Sequence, residues 1–293
     1  MDGVTAVAAE LFGPITVSGD SVDPVQTQAQ ATDESLLNAE LKWLLETQTP
    51  PIVGEIETII KSFNTSRDID KWTDDGSLLV IRSSDLVKGF VTVDGTAIVK
   101  GELTLKLPHY NRGNALKVAI NPSQPAYLQQ LITVQNYLVL AQQAFVRVPR
   151  SARNRAGLLK LLTKVSTCVR KASKALSRVR EADTFPAKEC DAKCFSPDLP
   201  EDLIVEFFVK HSSLMVSIRA LNFQQQGIPL QIQSKILGKF RNMRIETYKG
   251  RPVEILDELT VGSASPRLVT LIRSLNTIAG LCEDMHMKLQ MFK

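Results

Sequence analysis

The chain has 293 residues, with 35 Lys and Arg against 31 Asp and Glu, a net charge of +4 and 44% hydrophobic residues. These values are ordinary for a globular protein that is large enough to hold its core by burial alone. They exclude a fully disordered chain, a collagen, a small disulfide scaffold and a protein that binds nucleic acid through its overall positive charge.

The first part of the chain shows neither a folding pattern nor a targeting signal. Residues 1–32 are small and polar, are interrupted by Pro and Gly, and have no sustained period, so we expect a disordered tail. Lys and Arg are absent up to Asp33, so the positively charged start of a secretory signal is missing. We therefore expect a cytoplasmic protein whose four cysteines stay reduced. The uncharged residues 121–146 are rich in Gln and Asn and predict a core helix rather than a membrane span.

Apolar residues recur with helical spacing in three parts of the chain. Residues 34–63 predict a helix that has Asp33 as its N-cap and that is kinked or split at Pro50-Pro51. Residues 126–182 predict two long helices that form an antiparallel hairpin around a short break. Residues 266–292 predict a last helix with an unbroken apolar seam.

Between the helices, apolar and polar residues alternate as in half-buried strands. Residues 77–121 predict an antiparallel meander, with Asp94-Gly95 as a two-residue hairpin turn. Residues 204–218 predict a second hairpin. Residues 244–261 predict a third, with its turn at Lys249-Gly250.

The order α, β, αα, β, α predicts an α+β fold. Four long helices with narrow apolar seams bury themselves best against one another, as an antiparallel helical bundle, and the β segments then form a separate antiparallel β lobe. We assign the bundle to residues 33–65, 125–182 and 264–293, and the β domain to residues 77–122 and 200–262. Alternatively, one seam pairs with another chain, which would leave that seam exposed in the single chain.

The local motifs of catalysis are missing from the sequence. We find no phosphate-binding loop, no dinucleotide fingerprint, no nucleophile elbow and no zinc-protease motif. The three histidines, His109, His211 and His286, have no spacing that brings them together, and we expect each at the surface or rim. Cys190 and Cys194 supply at most half of a zinc site. We therefore predict a protein that is not an enzyme, with no catalytic residue, no cofactor and no metal.

Positive charge is concentrated in one predicted helix. Residues 150–180 contain ten Lys and Arg and no acid, so the remainder has 25 basic against 31 acidic residues, a net charge of −6. One interpretation is a solvated helix face. The other is a docking stripe for an acidic partner, for which we select Arg170, Lys171, Lys174 and Arg178. Anionic lipid or nucleic acid is a further alternative, although this stripe has no aromatic residue on which a base could stack.

Several segments resemble the Rogdi family, which has been described as leucine-zipper-like. They follow one another in the family's order over most of residues 36–292. These segments are residues 40–45 (ELKWLL), 87–95 (VKGFVTVDG), 103–108 (LTLKLP) and 199–205 (LPEDLIV).

This resemblance implies a non-catalytic adaptor subunit of a RAVE-type complex. Such a complex contains a large WD-repeat scaffold, which is Rabconnectin-like, and it promotes assembly of the V1 and Vo sectors of the vacuolar-type proton ATPase and thereby organelle acidification. The resemblance further implies a monomer within a hetero-complex, located in the cytoplasm and peripherally at vacuolar or endosomal membranes, without a transmembrane segment. The alternatives are an enzyme with an unrecognised active site and a basic-helix module for nucleic acid or lipid.

Overall fold

The structure, a computed structural model, describes residues 24–64, 78–148, 154–223 and 244–292. Helices combine with two antiparallel β-sheets, which confirms the predicted α+β class. Residues 222–243, for which the sequence favours neither helix nor strand, lie outside the described residues except for Asn222 and Phe223.

The first helical segment runs across the two prolines without a break. It consists of α1 (Pro24–Trp43), a π-helical turn (Leu44–Gln48) and α2 (Thr49–Asn64). In the π turn, the backbone N–H of Thr49 bonds to the carbonyl of Leu44, and the Thr49 hydroxyl donates to the same oxygen at 2.9 Å. The prolines follow directly, in the first turn of α2. A proline has no N–H to donate and its ring crowds the preceding turn, and the wider π turn relieves this crowding. The predicted distortion at Pro50-Pro51 is therefore a π turn.

The start of α1 corrects two predictions. Because α1 begins at Pro24, residues 24–32 are helical and do not belong to a disordered tail, and Asp33 lies inside the helix and is not its N-cap. Residues 1–23 lie outside the described part of the chain.

The first sheet contains the predicted meander. Its consecutive antiparallel strands are β1 (Leu78–Ser83), β2 (Val87–Asp94), β3 (Ala97–Leu105) and β4 (Leu116–Ile120). Two short strands that we did not predict extend it: β5 (Ala126–Tyr127) pairs with β3, and β6 (Phe195–Ser196) pairs with β4. Asp94 pairs with Ala97, so the two loop residues are Gly95 and Thr96, one residue later than predicted.

The central helices form the predicted antiparallel hairpin. They are α3 (Gln129–Arg147) and α4 (Arg155–Ser177). The side chain of Gln130, at the start of α3, donates to the carbonyl of Ala175, at the end of α4, at 2.9 Å. Asn154 is the N-cap of α4, because its side-chain oxygen accepts the N–H of Gly157.

The second sheet has the order β7-β8-β10-β9. Its strands are β7 (Leu203–Lys210), β8 (Ser213–Phe223), β9 (Ile245–Tyr248) and β10 (Arg251–Ala264). The predicted turn at Lys249-Gly250 is confirmed: both residues have positive φ, 50° and 72°, as a type I′ turn requires.

The last helix, α5 (Pro266–Met291), confirms the predicted seam. Ser265 accepts the N–H of Leu268 as N-cap, and Pro266 lies in the first turn. The buried residues of α5 are Leu268, Leu275, Ile278, Cys282, Met285 and Leu289.

Contacts between helix ends define two ends of the helical part. At one end, which we call the distal end, the Thr49 hydroxyl of α2 lies 3.6 Å from the sulfur of Met285, and Arg155 Nε of α4 donates to the carbonyl of Leu289 at 2.9 Å. At the other end, which we call the sheet end, His211 in the β7–β8 loop donates its N–H to the last turn of α4.

A single large core connects the helices with the sheets. Buried side chains from α2, α3, α4 and α5 belong to the same cluster as buried side chains from both sheets. A smaller cluster lies within the second sheet and the preceding loop, and it contains Phe185, Ile204, Leu221, Tyr248 and Val253. The helical bundle arrangement and the division into two domains stay predictions. None of the helices in the described ranges combines the length and the apolar character needed to cross a membrane.

Candidate functional site

The three histidines lie in different parts of the fold. His109 follows β3 and is exposed, and it is held by Asp257 of β10 through its backbone N–H at 2.8 Å and its ring Nδ1 at 2.7 Å. His211 is in the exposed β7–β8 loop, and His286 is half-buried on α5. Among the described residues, no group of three or more His, Cys, Asp or Glu side chains is arranged to hold a metal ion.

The cysteine thiols are protected by burial. Burial raises the pKa of Cys194 and of Cys282 to about 12, and it also raises the pKa of Cys168 and Cys190. The Cys190 thiol lies 3.5 Å from the carbonyl of Val205. A cysteine that attacks a substrate or binds zinc does so as a thiolate, which a lowered pKa favours. These thiols therefore act as small packing groups in this structure.

The predicted basic stripe lies on the solvent side of α4. One face of the helix packs into the core, and the basic side chains occupy the opposite face because of the helical period. The exposed basic residues of this face, which we call the basic face, are Lys160, Lys164, Arg170, Lys171, Lys174 and Arg178. Arg150 and Arg153 lie outside the described residues. Of the other described basic residues of the stripe, Arg155 points to the seam, as its bond to Leu289 shows, and Arg180 follows the end of α4 and forms a salt bridge with Asp183 at 3.2 Å.

No carboxylate within the described ranges forms a salt bridge with the basic face. Arg170 contacts the hydroxyl of Ser166 at 3.1 Å and Lys171 lies 5.7 Å from the ring centre of Tyr137. Several residues of the basic face, such as Lys160 and Lys164, are four positions apart, and like charges at that spacing on a helix repel one another. The basic face thus carries positive charge that a negatively charged partner surface would offset.

A groove adjoins the basic face near the break between α3 and α4. Its cavity of about 240 Å³ has an apolar floor from Leu140, Ala144, Val148 and Leu161 and a polar rim. The charged rim residues of this α3–α4 groove are Arg147, Lys160 and Lys164. We did not predict the groove from the sequence, although an exposed apolar residue outside the predicted seam, such as Leu140, was a signal for it.

The first helix carries a second exposed apolar surface. The side chains of residues 33–40 are all exposed, and Leu36, Leu37 and Trp43 are 56%, 52% and 55% exposed. Leu37 belongs to the predicted seam, but that seam reaches the core only at Leu44. We call the residues Asp33, Leu36, Leu37, Glu40 and Trp43 the α1 face, because their spacing places them on one side of the helix.

A larger cavity, of about 490 Å³, lies at the sheet end. Apolar side chains from α2, α3, α5 and the first sheet, among them Phe63, Leu131 and Leu268, form most of its lining. Asp94 and Arg267 are its charged residues, and one carboxylate oxygen of Asp94 is buried without a hydrogen-bond partner among the described residues. Burial lowers the pKa of Arg267, and the Asp94 charge opposes this shift.

Known proteins resemble this chain over most of its length. The family model described as "Rogdi leucine zipper containing protein" matches residues 40–290. The "Protein rogdi homolog" of Mus musculus and that of Homo sapiens are each 24% identical over 209 residues, which is 67% of this chain and 71% of the relative. The "Protein rogdi" of Drosophila melanogaster is 23% identical over 197 residues, 63% of this chain and 71% of the relative.

Proposed function

Because the chain belongs to the Rogdi leucine zipper family, we propose that it is a non-catalytic adaptor subunit of a RAVE-type complex. In this role it promotes assembly of the V1 and Vo sectors of the vacuolar-type proton ATPase, and thereby organelle acidification. Its direct partner is a large WD-repeat scaffold of the Rabconnectin kind, and its contact with V1 is indirect. It works in the cytoplasm and peripherally at vacuolar or endosomal membranes.

The observation that carries this proposal is the family match over residues 40–290. The match includes α2 to α5 and the described strands of both sheets. An adaptor acts through surfaces, and the described residues present such surfaces in the basic face and the α3–α4 groove. The positive charge on α4 therefore supports an acidic partner surface.

Within this role, Arg170, Lys171, Lys174 and Arg178 contact acidic side chains of the scaffold. Exposed charges at the edge of an interface act mainly on the rate of association and make binding sensitive to salt. The nucleic-acid alternative is weaker, because the exposed aromatic residues that stack bases are missing from the basic face as the structure describes it.

Two experiments test the two parts of the proposal. First, cells that lack this chain are starved and refed, and reassembly of V1 with Vo is followed by co-purification. We expect reassembly to fail and to return with the wild-type chain. Complete reassembly without the chain would contradict the adaptor role.

Second, binding to the purified WD-repeat scaffold is measured at low and high salt. We expect the triple variant Arg170→Glu, Lys174→Glu and Arg178→Glu to bind at least about tenfold more weakly, because each substitution reverses a charge. A matched triple reversal of exposed lysines on the first sheet or next to it, at Lys100, Lys106 and Lys117, is the control and should bind normally. Equal binding of both variants, with no effect of salt, would remove the basic face from the interface while leaving the family role in place.

A further inference from the structure

We propose that the cavity at the sheet end is a binding site for a neutral molecule with one aliphatic chain and a hydroxyl head group. The chain of this molecule lies in the apolar interior of the cavity, and its hydroxyl lies between Asp94 and Arg267. No described residue of the lining belongs to the basic face or the α3–α4 groove, so the site does not depend on the proposed function. The size of the cavity, its fixed walls and the chemistry of its charged residues support this proposal.

The cavity is too large to be a packing defect. Its volume is about 490 Å³, which is within the range of small-molecule sites in proteins. Protein interiors are close-packed, and few of their voids are larger than a water molecule. Leu131, Val134 and Leu138 of α3 line the cavity and are at most 9% exposed, so it reaches the main core. An apolar space of this kind favours apolar molecules, because its walls offer water few hydrogen-bond partners.

Backbone hydrogen bonds between separate elements fix the walls of the cavity. The N–H of Leu128, just before α3, donates to the carbonyl of Thr96 in the β2–β3 turn at 2.8 Å. The N–H of Ser265, just before α5, donates to the carbonyl of Ser212 in the β7–β8 loop at 2.9 Å. Leu128, Thr96 and Ser265 all line the cavity. The site is therefore formed before a ligand arrives, which limits the entropy lost on binding.

Asp94 lies near the mouth of the cavity. The exposed residues of the lining, Gly95, Tyr127 and Gln135, mark where the cavity opens to solvent. Asp94 directly precedes Gly95 and belongs to the same lining. A long molecule therefore enters with its apolar chain first and leaves its polar head beside Asp94.

The two charged residues select the head group. One carboxylate oxygen of Asp94 is buried and accepts no hydrogen bond from the described residues, and leaving such an oxygen without a donor is costly. The charge of Asp94 acts on Arg267, so the two side chains lie close to each other. Asp94 would repel a carboxylate head, and Arg267 would repel an ammonium head. A hydroxyl donates to the Asp94 oxygen, accepts from one of the several N–H groups of the guanidinium and adds no charge.

The test measures binding of n-decanol to the full chain by isothermal titration calorimetry. Decanoate and decylammonium, which have the same chain with a charged head, are measured at the same concentration, below micelle formation. We expect one n-decanol per chain and at least about tenfold weaker binding of both ions. A monoacylglycerol also has a hydroxyl head, so monodecanoylglycerol is measured in parallel, and the tighter of the two neutral compounds identifies the source of the head group.

The variant Asp94→Asn tests the head-group position. It keeps the shape of the side chain and removes the charge that repels a carboxylate, while Arg267 remains. We expect decanoate to bind this variant at least about tenfold more tightly than it binds the wild type. Misfolding does not produce a gain of binding, so this measurement stays decisive if other variants are unstable. Decanoate affinity that is equal in both proteins would overturn the proposal.

The variant Val99→Trp tests the location of the site. Val99 is half-buried on β3 and lines the cavity, so the larger side chain occupies its space. Val80→Trp makes the same change at an exposed position of β1 outside the lining and is the matched control. We expect n-decanol to bind Val99→Trp at least about tenfold more weakly than the control, with both variants folded by circular dichroism. The proposal is overturned if neither neutral compound binds the wild type, if the charged heads bind as tightly as n-decanol, or if the two variants bind equally.

Discussion

Replacing Gln130 should destabilise the junction between the helices and the second sheet more than any exposed substitution on α3. The Gln130 side chain is 8% exposed and makes three hydrogen bonds. Its amide nitrogen donates to the carbonyls of Ala175 at 2.9 Å and Val209 at 2.7 Å, and its oxygen accepts the N–H of Val209 at 2.6 Å. Since β7 is the edge strand of its sheet, this amide takes the place of a neighbouring strand at Val209.

The expected magnitude follows from the groups that Gln130→Leu leaves without partners. These are one buried N–H and two carbonyl oxygens, and each buried group without a partner costs about 1–3 kcal/mol. The carbonyls belong to the lower part of that range, so we expect the free energy of unfolding to fall by about 3 kcal/mol. Gln130→Glu keeps the shape of the side chain, but its ionised carboxylate donates to neither carbonyl. The folded state therefore favours the protonated form, and the stability of this variant should fall as pH rises.

Urea unfolding followed by circular dichroism measures both variants, with the shift in midpoint interpreted at constant slope. The exposed neighbour Gln129 supplies the control, and Gln129→Leu should change stability by less than about 0.5 kcal/mol. If Gln130→Leu unfolds at the same midpoint as that control, the three hydrogen bonds do not hold the junction and the reasoning is wrong.

Three further predictions concern single groups. Arg155→Met should lower stability by about 1–2 kcal/mol in the same assay, because it removes a charged donor from the Leu289 carbonyl, whereas exposed Lys160→Met should have little effect. Burial raises the pKa of Glu206 above the ordinary glutamate value. The folded state therefore binds this proton more tightly than the unfolded state does, and the carboxyl lowers the free energy of unfolding as pH rises from the unfolded pKa to the folded one. Glu206→Gln should flatten this slope in urea midpoints across the acidic range. Burial also raises the pKa of the Cys194 and Cys282 thiols to about 12, so iodoacetamide at neutral pH should modify them only after urea is added, as intact mass will show.

Local patterns predicted the elements whose signals are local. The alternation along residues 78–105 is a property of neighbouring residues, and so is the Lys249-Gly250 turn, where two positive φ angles favour those residue types. The seam of α5 repeats every three or four residues, so its buried side follows from the sequence. The exposure of the basic face was also predictable from local sequence, because Lys and Arg side chains without nearby acidic residues are rarely buried.

Features that depend on distant residues were not predictable in this way. Gln130 reaches Val209, which is 79 positions away, and His109 reaches Asp257, so neither contact leaves a mark on nearby sequence. The start of α1 was missed for another reason. Residues 24–32 have no apolar period, and we placed the helix start at Asp33 because it suits an N-cap. The Ala and Gln residues before it, which favour helix, received too little weight. The α3–α4 groove depends on how two helices meet, and no single helix pattern contains that information.

The length of α4 separates the two ends of the molecule. This helix has 23 residues and extends about 35 Å at 1.5 Å per residue, from the groove to the β7–β8 loop. Because a packed helix does not stretch, α4 fixes the distance between a partner bound at the groove and a partner bound at the sheets. A four-residue deletion would bring those two attachments about 6 Å closer and rotate them by about 40° relative to each other.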